Sequence, residues 1–319
     1  SNLWTIGLGI FAVVALAAIL LYKPIRSHVM GMLKLLPGMR RFLRAKAKSP
    51  NPEELLRDSA NLMKGKKYEE AAKKFNQARE IYKGLQSLPA FLKIKPGELG
   101  FGTSGLRDTV VKMTDLECYI NSRGFIEYLI AIGDIKRGDT ICIAGDLRFS
   151  TDRIMAAVAQ AIVDSGSRRV DNCGKIPTAA VTYYAMQKKQ ASIMVTGSHI
   201  PDDRNGIKFN KTVGEVLNAD EPGILAYVAK VRKEEYAKSK EETLFDENGM
   251  LKQSLSLGPV NREAERFYVQ RYLNVFASDS LRGKTIVVYQ HSAVGRDILV
   301  EVLQALGAEV IPVERSDKF

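Results

Sequence analysis

Three short segments carry side chains whose types and spacing could do chemistry. The first is Gly100-Phe-Gly-Thr-Ser-Gly-Leu-Arg107. Its glycines would let the backbone approach a ligand closely. Thr103 and Ser104 offer hydroxyls, and Arg107 offers a fork for a phosphate or carboxylate. Read alone, the segment is equally a glycine-rich turn. The second is Asp146-Leu-Arg-Phe-Ser150, expected at the end of a buried strand and the start of a helix. A helix N-terminus beside an arginine suits an anion. A capped helix with a local Asp146–Arg148 pair explains the same residues. The third is Thr196-Gly-Ser-His-Ile-Pro201, followed by Asn205-Gly-Ile-Lys-Phe209. A serine on a tight loop at a strand end can be a nucleophile or a phosphate carrier, and His199 or Lys208 could assist it. Most Ser-His pairs simply satisfy a turn.

These segments need a scaffold that brings them together, and the chain from Lys95 onward has the texture of one. Thr140–Ala144, Ala191–Thr196 and Lys284–Tyr289 read as short buried strands. Thr114 with Glu117 makes a capping box for a helix stopping near Gly133. Ser150 or Thr151 caps a helix through Ile154, Val158 and Ile162 to Gly166. Asp220 and Pro222 open another, to about Lys238. The polar stretch Ser239–Gly258 reads as a linker or excursion, and Asn261–Phe276 as helix. Strand 284–289, helix 294–306 and strand 308–313 make a βαβ unit, which favours an α/β class with a parallel component.

The first 94 residues differ in kind. The run Leu3–Tyr22 carries no charge, is long enough to span a bilayer core, and is followed by Lys23, Pro24 and Arg26. It reads as a single transmembrane anchor, and the basic residues behind it place the body of the protein in the cytoplasm. Residues 1–52 hold eight of the 47 basic side chains and no acidic one, which leaves 39 basic against 36 acidic in the rest. The net charge of +11 is therefore concentrated in a juxtamembrane segment, 23–52, suited to anionic headgroups. That placement, with no aromatic-basic stacking surface, argues against nucleic-acid binding. Residues 53–94 read as a helical hairpin broken at Gly65, its helices at about 53–64 and 68–83. Leu55, Ser59, Leu62, Tyr68, Ala71, Phe75 and Ala78 resemble one tetratricopeptide repeat, although Asp58 and Lys83 depart from that pattern. A spacer packed on the next domain and a partner-binding hairpin at 53–88 are both open.

A hydrophobic content of 45% with 26% charged residues excludes a disordered chain, a collagen and a polytopic membrane protein. Three cysteines without CxxC spacing argue against a disulfide framework and a structural zinc site, and a reducing compartment is the simplest reading.

Taken in order and with their spacing, the three segments resemble the α-D-phosphohexomutase family. The resemblance covers about Lys95 to Phe319. It implies an α/β fold of mixed sheets flanked by helices, with a first mutase domain at 95–258 and an incomplete second at 259–319. It also implies interconversion of hexose 6-phosphate and hexose 1-phosphate through a phosphoserine. Ser198 falls at the serine that carries the phosphoryl group, in a loop the family writes T-A-S-H-N-P, with Gly197 here for Ala and Ile200 for Asn. Lys208 matches a candidate general acid/base, with His199 as the other. Arg107 and Arg148 match arginines lining the site, and Thr103 and Ser104 lie in the opening loop. The resemblance further implies a Mg²⁺ ion on the phosphoserine oxygen. The family's D-x-D-x-D-R metal loop, sugar-selecting loop and C-terminal phosphate loop are absent, and the chain holds no Asp-x-Asp. Two readings follow. The chain is the N-terminal portion of a membrane-anchored phosphohexomutase, or it is a membrane-tethered interaction protein built on a shortened mutase fold.

Overall fold

The computed structural model describes residues 51–65, 67–94, 97–102, 105–166 and 169–318. The expected anchor, most of the basic segment, and Thr103 and Ser104 lie outside the described residues. Among the described residues, no helix is long and apolar enough to cross a membrane. The chain divides into two compact units, one reaching Lys93 and taking in Tyr236–Thr243, the other formed by Ile94–Glu235 and Leu244 onward.

The first unit is built on helices α1 (Pro52–Lys64) and α2 (Tyr68–Gln86), with a short α3 (Leu88–Phe91). Asn51 accepts from the Glu53 N–H at 3.0 Å, Pro52 opens α1, and Glu53 and Glu54 face the positive end of its dipole. Ala71 and Ala78 are fully buried, and their small side chains let the helices approach. Ser59 Oγ donates to the Ala71 carbonyl at 2.8 Å, and Lys74 pairs with Asp58 at 2.6 Å. Tyr68 is 58% exposed. Helix α2 runs three residues past the expected Lys83. The Leu88 N–H bonds to the Lys238 carbonyl, and Ser87 bridges Ser239. Residues 239–243 therefore belong to this unit, and the expected linker is divided between the two.

In the second unit a seven-stranded sheet runs β1 (Phe101–Gly102), β2 (Gly105–Thr109), β6 (Arg204–Lys211), β5 (Ala191–Val195), β3 (Ile141–Gly145) and β4 (Val170–Lys175), with β7 (Gly214–Glu215) beside β6. Strands β3, β4 and β5 are parallel, and β6 is antiparallel to both β5 and β2. Strands β3 and β5 are buried at every residue, as expected of parallel strands covered on both faces. Helices α4 (Asp115–Ala131) and α5 (Thr151–Asp164) cover one face, where Phe125 stacks on Phe209 with centroids 4.5 Å apart. Helix α6 (Thr178–Lys188) covers the other, together with α8 (Glu263–Leu273). Helix α7 (Glu221–Ala237) lies against α4, and a Cβ on Gly124 would fall 2.7 Å from the Val228 backbone. The chain ends in β8 (Thr285–His291), α9 (Arg296–Ala305) and β9 (Glu309–Arg315), with β8 and β9 parallel.

Several expectations are corrected. Strand β4 and helix α6 have no counterpart among the expected elements, and the glycine-rich opening segment contributes two strands rather than a loop alone. The helix expected over 261–276 is shorter, Glu263–Leu273. The capping box is half formed. Thr114 accepts from the Glu117 N–H at 3.3 Å, but the Glu117 carboxylate faces Arg232, which donates to both its oxygens at 2.5 and 2.8 Å. Apolar packing continues across the expected boundary at 258/259. Ala264, Val269, Ile298, Val302 and Leu306 share one apolar cluster with Cys142, Ala144 and Met194.

Candidate active site

The site grows from the carboxyl ends of β3 and β5, the edge where open α/β sheets bind ligands. Asp146 follows β3 and is 5% exposed. Its Oδ1 accepts from the Arg148 N–H at 3.1 Å and from Thr151 Oγ1 at 2.6 Å. Its Oδ2 accepts from Arg148 Nε at 3.2 Å, Thr196 Oγ1 at 2.9 Å and the Gly197 N–H at 3.1 Å. One carboxylate thus ties the turn after β3 to the loop after β5. Asn205, buried at the start of β6, donates to Ser150 Oγ at 2.9 Å and Thr151 Oγ1 at 3.2 Å. The two hydroxyls expected to cap α5 therefore serve this network, and neither caps the helix.

Arg148 fixes the loop that follows. Its side chain is completely buried. Beyond Nε, Nη1 donates to the carbonyls of Pro201 at 2.7 Å and Arg204 at 3.2 Å. Nη2 donates to those of Ser198 at 3.1 Å and Ile200 at 2.6 Å. A guanidinium has five donors, and each has an acceptor here. Arg148, expected to line the site and bind phosphate, has its donors directed at Asp146 and the serine loop. The local Asp146–Arg148 pair is present, within a larger structure than an isolated pair. Gly197 makes the arrangement possible, because a Cβ there would fall 2.4 Å from Arg148 Nε.

Ser198 sits at the apex, exposed and with φ of 55°. A non-glycine residue in that region is held there by its surroundings. Its N–H donates to Thr196 Oγ1 at 2.9 Å, and its carbonyl accepts from Arg148. The backbone is pinned on both sides while Oγ faces outward, 3.4 Å from His199 Nδ1, the long end of hydrogen-bonding range. His199 is also exposed.

Arg107 and Lys208 are placed by strand register. Arg107 on β2 faces Gly206, and Gly105 faces Lys208. Both side chains thus lie on one face of the sheet as diagonal neighbours, about 7–8 Å apart at their Cα atoms. Arg107 is exposed and Lys208 half-buried. The two glycines opposite them are sterically required: a Cβ on Gly105 would lie 2.0 Å from the Ile207 carbonyl oxygen, and one on Gly206 would lie 2.6 Å from that of Leu106. Of the three cations, exposed Arg107 and half-buried Lys208 are thus neighbours on the sheet, and Arg148 is buried against the serine loop. Sequence reasoning missed Asp146 as the organising residue, along with Thr151, Thr196 and Asn205. The signal available for the last two was their place in the motifs that contain Ser198 and Lys208.

A hard divalent cation finds few ligands here. Among the described residues, the one convergent group of His, Cys, Asp or Glu ligands is Cys142, Asp171 and Cys173, in the buried core rather than beside Ser198. The described residues do not fit the Mg²⁺ site the resemblance implies.

Residues 98–235 match the family described as phosphoglucomutase/phosphomannomutase, α/β/α domain I. A phosphomannomutase of Sinorhizobium fredii is 36% identical over 219 residues, which cover 69% of this chain and 44% of that protein. A phosphomannomutase of Salmonella muenchen is 34% identical over 226 residues, covering 71% and 42%. A phosphoglucosamine mutase of Gloeothece citriformis is 28% identical over 215 residues, covering 66% and 41%. The chain thus spans less than half the length of these relatives. Among solved structures, a phosphoglucomutase/phosphomannomutase family protein from Burkholderia thailandensis shares the fold, with a TM-score of 0.51 and 21% identity over 68% of this chain and 44% of that one.

Proposed function

The chain belongs to the α-D-phosphohexomutase family, and from that premise we propose that it carries the phosphoryl-transfer serine of a hexose-phosphate mutase. The observation that supports this most directly is Ser198: exposed, held at φ 55°, and fixed through its backbone by Arg148 and Thr196 while its Oγ stays open. In the proposed reaction the Ser198 phosphate passes its phosphoryl group to a hydroxyl of a hexose monophosphate. The bond between phosphorus and the serine oxygen breaks as the bond to the sugar oxygen forms, and the sugar hydroxyl loses its proton. The other phosphoryl group of the resulting bisphosphate then returns to Ser198. Such transfer depends on positioning and charge neutralisation. Arg107 and Lys208 supply positive charge on a shared sheet face, with Arg148 a positioning residue. His199, 3.4 Å from Ser198 Oγ, and Lys208 are the groups available to move the proton. Family members are metal-dependent in general. The ligands for that metal are not assembled by the described residues, and no step above is drawn through it.

The test is a partial reaction. The protein is incubated with hexose 1,6-bisphosphate and digested, and phosphopeptides are located by mass spectrometry. Phosphate on Ser198, absent after Ser198→Ala, is the expected result. Phosphate only elsewhere, or labelling undiminished in Ser198→Ala, overturns the assignment.

We also propose that the apolar run Leu3–Tyr22 anchors the protein in a membrane with its body in the cytoplasm, on the charge pattern alone. Retention of the full chain in the carbonate-washed membrane pellet is expected. Release of the intact chain into the soluble fraction would refute it.

A further inference from the structure

Strands β3 and β4 place three metal-ligating side chains on one buried face. Cys142 lies opposite Asp171 in the parallel register, and Cys173 follows two residues on. Their ligand atoms all lie within 4.8 Å of one another. Cys142 Sγ is 4.0 Å from Asp171 Oδ2 and 3.1 Å from Gln190 Oε1. Two sulfurs on a tetrahedral zinc ion stand about 3.8 Å apart, so closure onto an ion requires movements of about 1 Å. The surrounding residues already orient the carboxylate. Asp171 Oδ1 accepts from Asn261 Nδ2 at 2.9 Å, and Oδ2 accepts from Tyr184 Oη at 3.1 Å. The one Tyr184 phenolic proton is shared between Asp171 and Glu263 Oε2, 3.0 Å away. The facing cation, Arg169, is 4.0 Å from Asp171 and largely exposed, so it neutralises this buried charge weakly.

We propose that Cys142, Cys173 and Asp171, with Gln190 Oε1 as the fourth donor, form a binding site for a thiophilic divalent cation of the zinc class. Two thiolates and a carboxylate are a soft, anionic set suited to such an ion and unsuited to Mg²⁺. Binding replaces two thiol protons by the metal. Strand β4 is the edge of the sheet, which gives an entry route by local opening. The ion would join β3 to β4 and, through Asp171, Tyr184 and Asn261, to the start of α8. The role is structural and does not depend on the mutase reading.

The test is titration of the full chain with Co²⁺ under reducing conditions. One equivalent should produce sulfur-to-cobalt charge-transfer absorption with tetrahedral visible bands, and Zn²⁺ should displace it. Tyr184→Phe, which removes an outer hydrogen bond to the carboxylate, should weaken affinity about 10–100-fold. The pair Cys142→Ser/Cys173→Ser should abolish the signal. If that pair does not fold, each single variant should lose about half of the charge-transfer intensity, one sulfur of two. No cobalt spectrum from the native chain, even after refolding with the metal, overturns the proposal. So does a spectrum unchanged by loss of either cysteine.

Discussion

Replacing Arg148 distinguishes a residue that holds the serine loop from one that holds substrate. Arg148→Met removes the guanidinium and keeps much of its buried bulk. Asp146 is then left with its neutral donors and no cation, in a position 5% exposed. Breaking a buried pair from one side costs about 3–5 kcal/mol. The four carbonyls that lose a donor add less, because Ser198, Pro201 and Arg204 are exposed and can rehydrate. The expected loss is therefore about 3–5 kcal/mol, a large fraction of a domain's usual 5–15 kcal/mol. Arg148→Lys keeps the charge but has three donors for five acceptors, and an intermediate loss of about 1–3 kcal/mol is expected. Urea unfolding followed by circular dichroism measures both. Limited proteolysis should show faster cleavage in 198–203. A double-mutant cycle with Asp146→Asn should return a coupling of about 0.5–3 kcal/mol. If Arg148→Met stays within about 0.5 kcal/mol of the parent, as exposed substitutions do, the loop-holding role is refuted.

Gly197→Ala places a methyl group against Arg148 and should lower stability by about 1–3 kcal/mol, read as a fall in melting temperature; an unchanged melt would show that the guanidinium moves freely. Gly105→Ala drives a Cβ into the Ile207 carbonyl, so faster amide exchange across β2 and β6 is expected, and unchanged exchange would contradict the close approach. Asp220 carries an acid-dependent contribution. Burial alone would raise its pKa, but the Leu217 N–H, Lys211 at 2.8 Å and Tyr128 at 2.7 Å more than offset this and hold it below the ordinary value. A lowered folded-state pKa gives stability that is complete above the unfolded pKa of about 4 and lost as pH falls through the folded value. Asp220→Asn should flatten the acid limb of the stability–pH profile, and an identical limb in the variant would refute the assignment.

What is legible in the sequence follows from where each residue finds its partners. Strands β3 and β5 are evident because both faces are apolar and local, and Gly133 marks a helix end through its positive φ. Strand β4 is hidden because it carries Asp171 and Asn172, polar residues that no local pattern assigns to a buried strand. Their partners arrive from far along the chain: Asn261 and Tyr184 on Asp171, and the Gly258 carbonyl on Asn172. Ser198 is found from its motif, whereas the burial of Arg148 cannot be read, since an arginine beside an aspartate usually signals a solvated pair. The cysteine pair escapes notice for a related reason. CxxC spacing detects ligands gathered by one turn, while Cys142 and Cys173 meet across two strands 31 positions apart in sequence.

The backbone at Ser198 has a preference that its side chain does not share. At φ 55° an L-residue is disfavoured by about 1–2 kcal/mol, and glycine would occupy the position without that penalty. Selection for folding alone would therefore drift this site toward glycine, extending the adjacent Gly197 into a pair. On the proposed role, a serine here is a local departure from the stability optimum that its hydroxyl sustains. In a library sorted first for thermal resistance and then for phosphoryl transfer, position 198 should reverse its favoured residue between the two rounds.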